Sequence, residues 1–358
     1  MSTTKRRRKM KYIISGSIIS IMLVLVLPLI PYAISASADN DSKQVVNPIE
    51  VPNPGTDLWR DVRQRDQHVV GTTQVKGVDT GILISKRGES WRQYRMEKLV
   101  PYSAYLLGAI VIVLLLYRMY RGQIKVEGGL SGQKLFRFNF NQRTAHWLVA
   151  VLFIVLALTG IVLLYGRFIL IPLLGPEGFS VTALVAKRIH DFAGPLFAIA
   201  LIMMFLAFVK RNLLKKIDLD WFLSGGGFMV GKHVGSGYFN AGEKAWFWLS
   251  VLGGALIVVT GLTMDFPVLA FSRDTLELSH LLHTISGMLV LAVALGHIYM
   301  GTVGVEGAYE AMATGYCDAN WAKEHHDVWY KDMMSGKDPH ADLEEGGESR
   351  REQPASSG

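Results

Sequence analysis

His146, His190, His283 and His297 stand in, or at the mouths of, strongly apolar stretches, where an ionisable side chain is costly and usually functional. His283 and His297 are 14 residues apart on one predicted transmembrane helix. At about 100° per residue that interval returns to within roughly 40° of its starting direction, so both imidazoles leave one face about 21 Å apart along the axis. Histidine is the ordinary axial ligand of a protein-bound haem, and such a ladder suits two b-type haems stacked across a membrane. One histidine at a membrane mouth reads equally well as an interfacial polar residue; four that pair by depth do not. The lone cysteine, Cys317, excludes iron-sulfur clusters held within this chain, c-type attachment through C-x-x-C-H and internal disulfides.

The elements that must position these residues are membrane spans. Of 358 residues half are hydrophobic and 19% charged, with mean hydropathy +0.26 and net charge +7, which does not describe a soluble enzyme. Lys and Arg clustered beside spans set orientation, so the basic excess is not read as nucleic-acid binding. Residues 1–38 read as a signal peptide, with a basic run from Lys5 to Lys11, an apolar run from Tyr12 to Ile30 and Ala36-Ser37-Ala38 as cleavage site; an uncleaved anchor is the alternative. Residues 39–98 form a polar extracytoplasmic segment whose Trp59 and Trp91, flanked by Arg60, Arg63, Arg92 and Arg95, either dock on a partner subunit or belong to a lightly ordered linker.

Five spans of about 20 residues follow: Leu99 to Tyr120, Ala145 to Tyr165, Lys187 to Val209, Ala245 to Met264 and Ser279 to Met300. The first is an additional helix at 99–120, a cytoplasmic loop covers 121–144, a four-helix core covers 145–301 and a cytoplasmic tail covers 302–358. Arg118, Arg121, Lys125, Lys134, Arg137 and Arg143 precede the second span, and Lys210, Arg211, Lys215, Lys216, Lys232 and Lys244 precede the fourth. The other loops carry fewer, chiefly Arg167, Lys187, Arg188 and Arg273, which sets the mature N-terminus outside the cytoplasm and the C-terminus within it. Depth then pairs His190 with His283 as an outer site and His146 with His297 as an inner one.

Four residues after each of these histidines stands a small residue: Ala150, Gly194, Gly287 and Gly301. A flat group held by the histidine would need that space, although small residues also serve plain helix packing. His280 points about 100° away from the His297 face and reads as interfacial. His325 and His326 read as solvated neighbours in a polar tail, and His68, His233 and His340 have no identifiable partner.

The stretches Thr144-Ala145-His146-Trp147, Arg188-Ile189-His190-Asp191-Phe192-Ala193-Gly194, Tyr238-Phe239-Asn240-Ala241-Gly242-Glu243-Lys244, Leu281 to Gly301, and Trp321 to Tyr330 resemble the gamma subunit of respiratory formate dehydrogenase, its membrane cytochrome b. The resemblance covers about Phe138 to Asp332. It implies an all-α membrane protein, a four-helix transmembrane dihaem cytochrome b bundle, here with one additional N-terminal transmembrane helix and a signal peptide. It implies haem ligation by positions matching His190 with His283 and His146 with His297. It also implies a quinone site on the cytoplasmic side lined by Asn240, Gly242 and the ligand His297; Asn and Gly before a helix also make an ordinary capping turn. The implied partners are an iron-sulfur beta subunit, a molybdenum- or tungsten-pterin alpha subunit that oxidises formate, and menaquinone or ubiquinone as acceptor, in a bacterial inner membrane. No formate chemistry resides in the chain itself.

Three alternatives stay open. One is the cytochrome b of a nickel-iron hydrogenase or related oxidoreductase. The others are a haem-free membrane anchor and a small transporter, for which only a faint internal echo exists, Thr159-Gly160 with Thr260-Gly261.

Overall fold

The computed structural model describes residues 86–223, 235–266 and 271–336. The signal-peptide region, most of segment 39–98, and His68, His233 and His340 lie outside them. In chain order the elements are α1 (Lys86–Tyr94), continued by a π turn (Arg95–Leu99), α2 (Val100–Arg121), β1 (Lys134–Phe136), α3 (Phe140–Phe208), α4 (Lys216–Leu223), α5 (Ala241–Asp265) and α6 (Arg273–Tyr299), continued by a π turn (Met300–Gly304). The tail adds α7 (Ala308–Thr314), β2 (Tyr316–Asp318), α8 (Ala319–His325) and α9 (Asp327–Met334).

Among the described residues four helical stretches are long and apolar enough to cross a membrane: Ser90–Arg121, Phe140–Asn212, Ala241–Asp265 and Arg273–Gly304. The protein is an all-α, multi-pass membrane protein, and large apolar side chains such as Leu116, Leu158, Leu206, Leu252 and Val259 are exposed on its helices, as a lipid-facing surface requires.

Helix α3 is two arms. Thr159 and His190 are 31 residues apart, about 46 Å along a straight α-helix, yet their side chains meet at 2.8 Å. The chain reverses at Gly175, whose φ of 73° and ψ of 172° suit glycine alone. Pro176 follows immediately, where a helix start needs no N–H. The sequence reading treats 166–186 as a loop, but helix fills it on both sides of Gly175. Gly166 does not end the first arm; it is helical, and a Cβ there would come within 2.8 Å of the Phe179 ring, so it lets the two arms approach.

The chain forms two compact units. Of the described residues the first comprises 86–102, 158–196, 257–266 and 271–285. Its described part packs α1 and its π turn, the α3 hairpin around Gly175, the end of α5 and the first half of α6. The second comprises Ser103–Ala157, Phe197–Leu256 and Ser286–Gly358. There the outer stretches of α3 contact each other, with Phe153 against Phe197 at 6.3 Å between ring centroids. Arg118 on α2 donates to the Val303 carbonyl, and Tyr117 meets Tyr299 edge to face. The antiparallel pair β1–β2, in register Lys134↔Asp318 to Phe136↔Tyr316, ties the 121–144 segment to the tail.

In this second unit the tail is a packed part of the fold. Arg137 is buried, with its guanidinium within 4.8 to 5.8 Å of the rings of Phe138, Tyr238, Phe239, Trp321 and Trp329. It donates to the Tyr238 carbonyl, while the Tyr238 hydroxyl donates back to the Arg137 carbonyl. Arg137, Arg211 and Lys244, counted among the charges that orient the spans, are thus buried. Lys244 forms an ion pair with Asp218 at 2.7 Å, both almost fully enclosed.

Candidate haem-ligand sites

In the first unit, α3 carries His190 and α6 carries His283, with ring centroids 6.1 Å apart and planes at 69°. In the second unit His146 and His297 lie 6.2 Å apart at 62°. Two nitrogens bound at about 2 Å on opposite sides of one metal, each about 1.1 Å from its ring centre, set ring centroids roughly 6 Å apart. Rotation of each ring about that axis is free, so the interplanar angles are compatible with axial ligation. A methyl group added at Gly194, Gly287 or Gly301 would meet no atom within 4 Å, so there is open space one turn from three of the four histidines. The residues therefore fit a haem iron held from both sides at each pair.

Around His190 and His283 the faint echo between Thr159-Gly160 and Thr260-Gly261 has a structural counterpart. The Thr159 hydroxyl is 2.8 Å from His190 Nδ1. The Thr260 hydroxyl is 3.2 Å from His283 Nδ1, which also lies 2.9 Å from the Ile257 carbonyl. Each threonine is followed by a glycine lying under the same imidazole: a Cβ at Gly160 would be 3.5 Å from His190 Cε1, and one at Gly261 3.0 Å from His283 Cε1. The paired Thr-Gly steps hold both rings through Nδ1, as outer-shell partners of a ligating histidine usually do.

The other pair is held differently. Trp246 stacks on His297 at 5.1 Å and 23°, and Trp147 meets His146 edge to face at 5.3 Å. The buried Nδ1 of His146 has no hydrogen-bond partner among the described residues.

Asn240 and Gly242 lie at the start of α5. The Asn240 side chain accepts from the Glu243 N–H at 2.8 Å while the Glu243 carboxylate accepts from the Asn240 N–H at 2.9 Å, a reciprocal capping box. A Cβ at Gly242 would sit 3.1 Å from Trp221 Cη2, so glycine allows α4 to cover this turn. Gly242 and Trp246 are four residues apart and share a helix face, which connects the turn to the ring stacked on His297.

Two histidines need correction. His326 is not solvated: it is 1% exposed, and its Nδ1 donates to the Gly237 carbonyl at 2.9 Å. Desolvation, helped by Arg137 and opposed by the bond to Gly237, holds its pKa well below the ordinary value, so it is neutral. His325 is half-buried beside Trp321. The aromatic residues Trp321 and Trp329 on either side were the signal that this tail packs.

Residues 137–315, half of the chain, match the family described as prokaryotic cytochrome b561. Curated relatives include the formate dehydrogenase cytochrome b556(fdo) subunit of Escherichia coli K12, 29% identical over 56% of this chain and 93% of its own length. The nitrate-inducible formate dehydrogenase cytochrome b556(Fdn) subunit of the same organism is 30% identical over 57% of this chain and 93% of its own length. The cytochrome b556 subunit of the Haemophilus influenzae enzyme is 29% identical over 57% and 85%. The chain belongs to the prokaryotic cytochrome b561 family, in the group of formate dehydrogenase cytochrome b subunits. The group implied by a cytochrome b is haem b.

Proposed function

We propose that this chain conducts electrons from the partner subunits of a formate dehydrogenase to a membrane quinone, with His190 and His283 holding one haem b and His146 and His297 a second. The observation that carries this reading is the recurrence, in a cytochrome b, of two histidine pairs at the ring separation one axially ligated iron demands. Bound haem supplies reversible one-electron chemistry, and two histidine ligands leave no open position for oxygen or substrate. The chain's own residues orient the imidazoles, through Nδ1 at His190 and His283 and through the Trp246 ring at His297.

Electrons enter at the His190–His283 end from an iron-sulfur beta subunit, itself supplied by a molybdenum- or tungsten-pterin alpha subunit outside the cytoplasm. They leave at the His146–His297 end to menaquinone or ubiquinone in a site lined by Asn240, Gly242 and His297. With the C-terminus cytoplasmic in a bacterial inner membrane, quinone reduction takes protons from the cytoplasm, and the two half-reactions together charge the membrane.

A pyridine haemochrome assay on the purified chain tests this directly. About two b haems per polypeptide are expected, and one in each of the variants His283→Ala and His297→Ala. No haem, in protein made with haem in excess, would return the chain to the anchor or transporter classes.

A further inference from the structure

Three buried polar atoms in the first compact unit, Trp91 Nε1, Arg95 Nε and His280 Nδ1, have no hydrogen-bond partner among the described residues. They are neighbours. Trp91 and His280 meet edge to face with centroids 5.3 Å apart. Arg95 lies four residues after Trp91, one turn along the same side of the helical stretch. Its charge acts on His280, and Arg167 is near enough to repel it. Among the described residues the one side-chain hydrogen bond of Arg95 is the weak one from Nη1 to Met96 Sδ at 3.7 Å. Among the described residues no carboxylate pairs with Arg95 or Arg167. A buried donor left unpaired is destabilising, and two neighbouring guanidinium groups add repulsion. One bound anion removes both penalties.

We propose that Trp91, Arg95, His280 and Arg167 form a carboxylate-binding site for the propionate groups of the haem held by His190 and His283. The donor set points to the class of ligand: guanidinium and indole offer only N–H donors, imidazole adds a third, and charge-assisted bonds to a carboxylate are the strong ones. Position points to the source, because His280 precedes His283 by three residues, on the adjoining part of the same helix. Trp91 and Arg95 lie outside the family-matched residues 137–315, so the added N-terminal helix closes a haem site built by the core.

This inference rests on the ligand assignment above, and the test separates the two. Haem is counted by pyridine haemochrome and the potentials are resolved by optical redox titration in the wild-type chain, Arg95→Gln and Lys98→Gln. Wild-type protein without haem overturns the ligand assignment. Two haems whose potentials are unmoved by Arg95→Gln overturn the carboxylate site alone. The expected result is that Arg95→Gln lowers one potential and leaves the other in place, because a positive charge beside a propionate favours uptake of an electron. Lys98→Gln, an exposed change on the same helical stretch, is expected to move neither. Equal shifts in both variants would reveal only a long-range field and overturn the site. Should Arg95→Gln fail to fold, Trp91→Phe, which removes the indole N–H and keeps a ring, is expected to lower the same potential by a smaller amount; no shift overturns the proposal. A lipid phosphate offers the same chemistry, and loss of bound phosphorus from Arg95→Gln with unchanged potentials would assign the site to lipid instead.

Discussion

The Thr159 hydroxyl lies 2.8 Å from Nδ1 of His190, 31 residues further along the same helix and on the opposite arm of its hairpin. With Nε2 on a metal, Nδ1 carries the proton and donates to the threonine oxygen. That bond makes the imidazole a stronger electron donor and favours the oxidised iron. Thr159→Val removes the acceptor at nearly constant shape. A hydrogen bond worth about 1 kcal/mol corresponds to roughly 40 mV for one electron, so one haem potential should rise by tens of millivolts in a redox titration. Thr260→Val should raise the same potential, since Thr260 stands to His283 Nδ1 as Thr159 stands to His190 Nδ1. No shift in either variant would remove the threonines from control of the potential.

How much of this was legible in the sequence differs by residue. The four histidines were, because an imidazole in an apolar run and a helical period of 3.6 are both local facts. The Thr-Gly steps were visible only as a faint repeat, since nothing local says that Thr159 meets His190 or that Thr260 meets His283. The reversal at Gly175 was hidden because its backbone differs from that of Gly166 only through packing: Gly166 faces Phe179, while Gly175 carries a positive φ. The burial of His326 was missed for the same reason. Its partners, Gly237, Arg137 and Trp321, lie far off in sequence or on a tail whose polar composition outweighed its tryptophans.

Trp246 marks a difference between the two histidine pairs. Its indole stacks on His297 in place of a threonine hydrogen bond, so the ring is positioned by a flat apolar surface. Trp246→Leu should remove about 0.5–1.5 kcal/mol of aromatic contact and let the imidazole turn. The low-spin electron paramagnetic resonance signal of one haem should broaden or shift while the other keeps its wild-type form. A spectrum with both signals unchanged would mean that the backbone alone fixes His297.

One pair of variants separates the capping role of Asn240 from the role toward quinone proposed for it. Asp caps a helix as well as Asn, whereas Ala costs about 1 kcal/mol at that position. Asn240→Asp therefore keeps the box with Glu243 but replaces the amide donor by a carboxylate. Quinone reduction should slow in Asn240→Asp and Asn240→Ala alike, with both haems retained. Full turnover in the Asp variant and loss only in the Ala variant would reduce Asn240 to a cap.

His326 makes the docking of the tail sensitive to acid. Its folded-state pKa is held well below the ordinary value by desolvation and by Arg137, while an unfolded or undocked tail would titrate near about 6.5. Below that pH the undocked state binds more protons, so stability falls as pH drops from about 6.5 towards the folded pKa, and none is lost above it. Protonation would also set a second positive charge beside Arg137, with the Glu243 carboxylate 3.8 Å from His326 Nε2 as partial compensation. Amide exchange across 316–334 in detergent should accelerate between about pH 6.5 and about pH 5 in the wild-type protein. His326→Gln keeps a donor for the Gly237 carbonyl and cannot take up a proton, so its exchange should be flat over the same range once the intrinsic rate is removed. Parallel profiles in the two proteins would place the acid-sensitive group elsewhere.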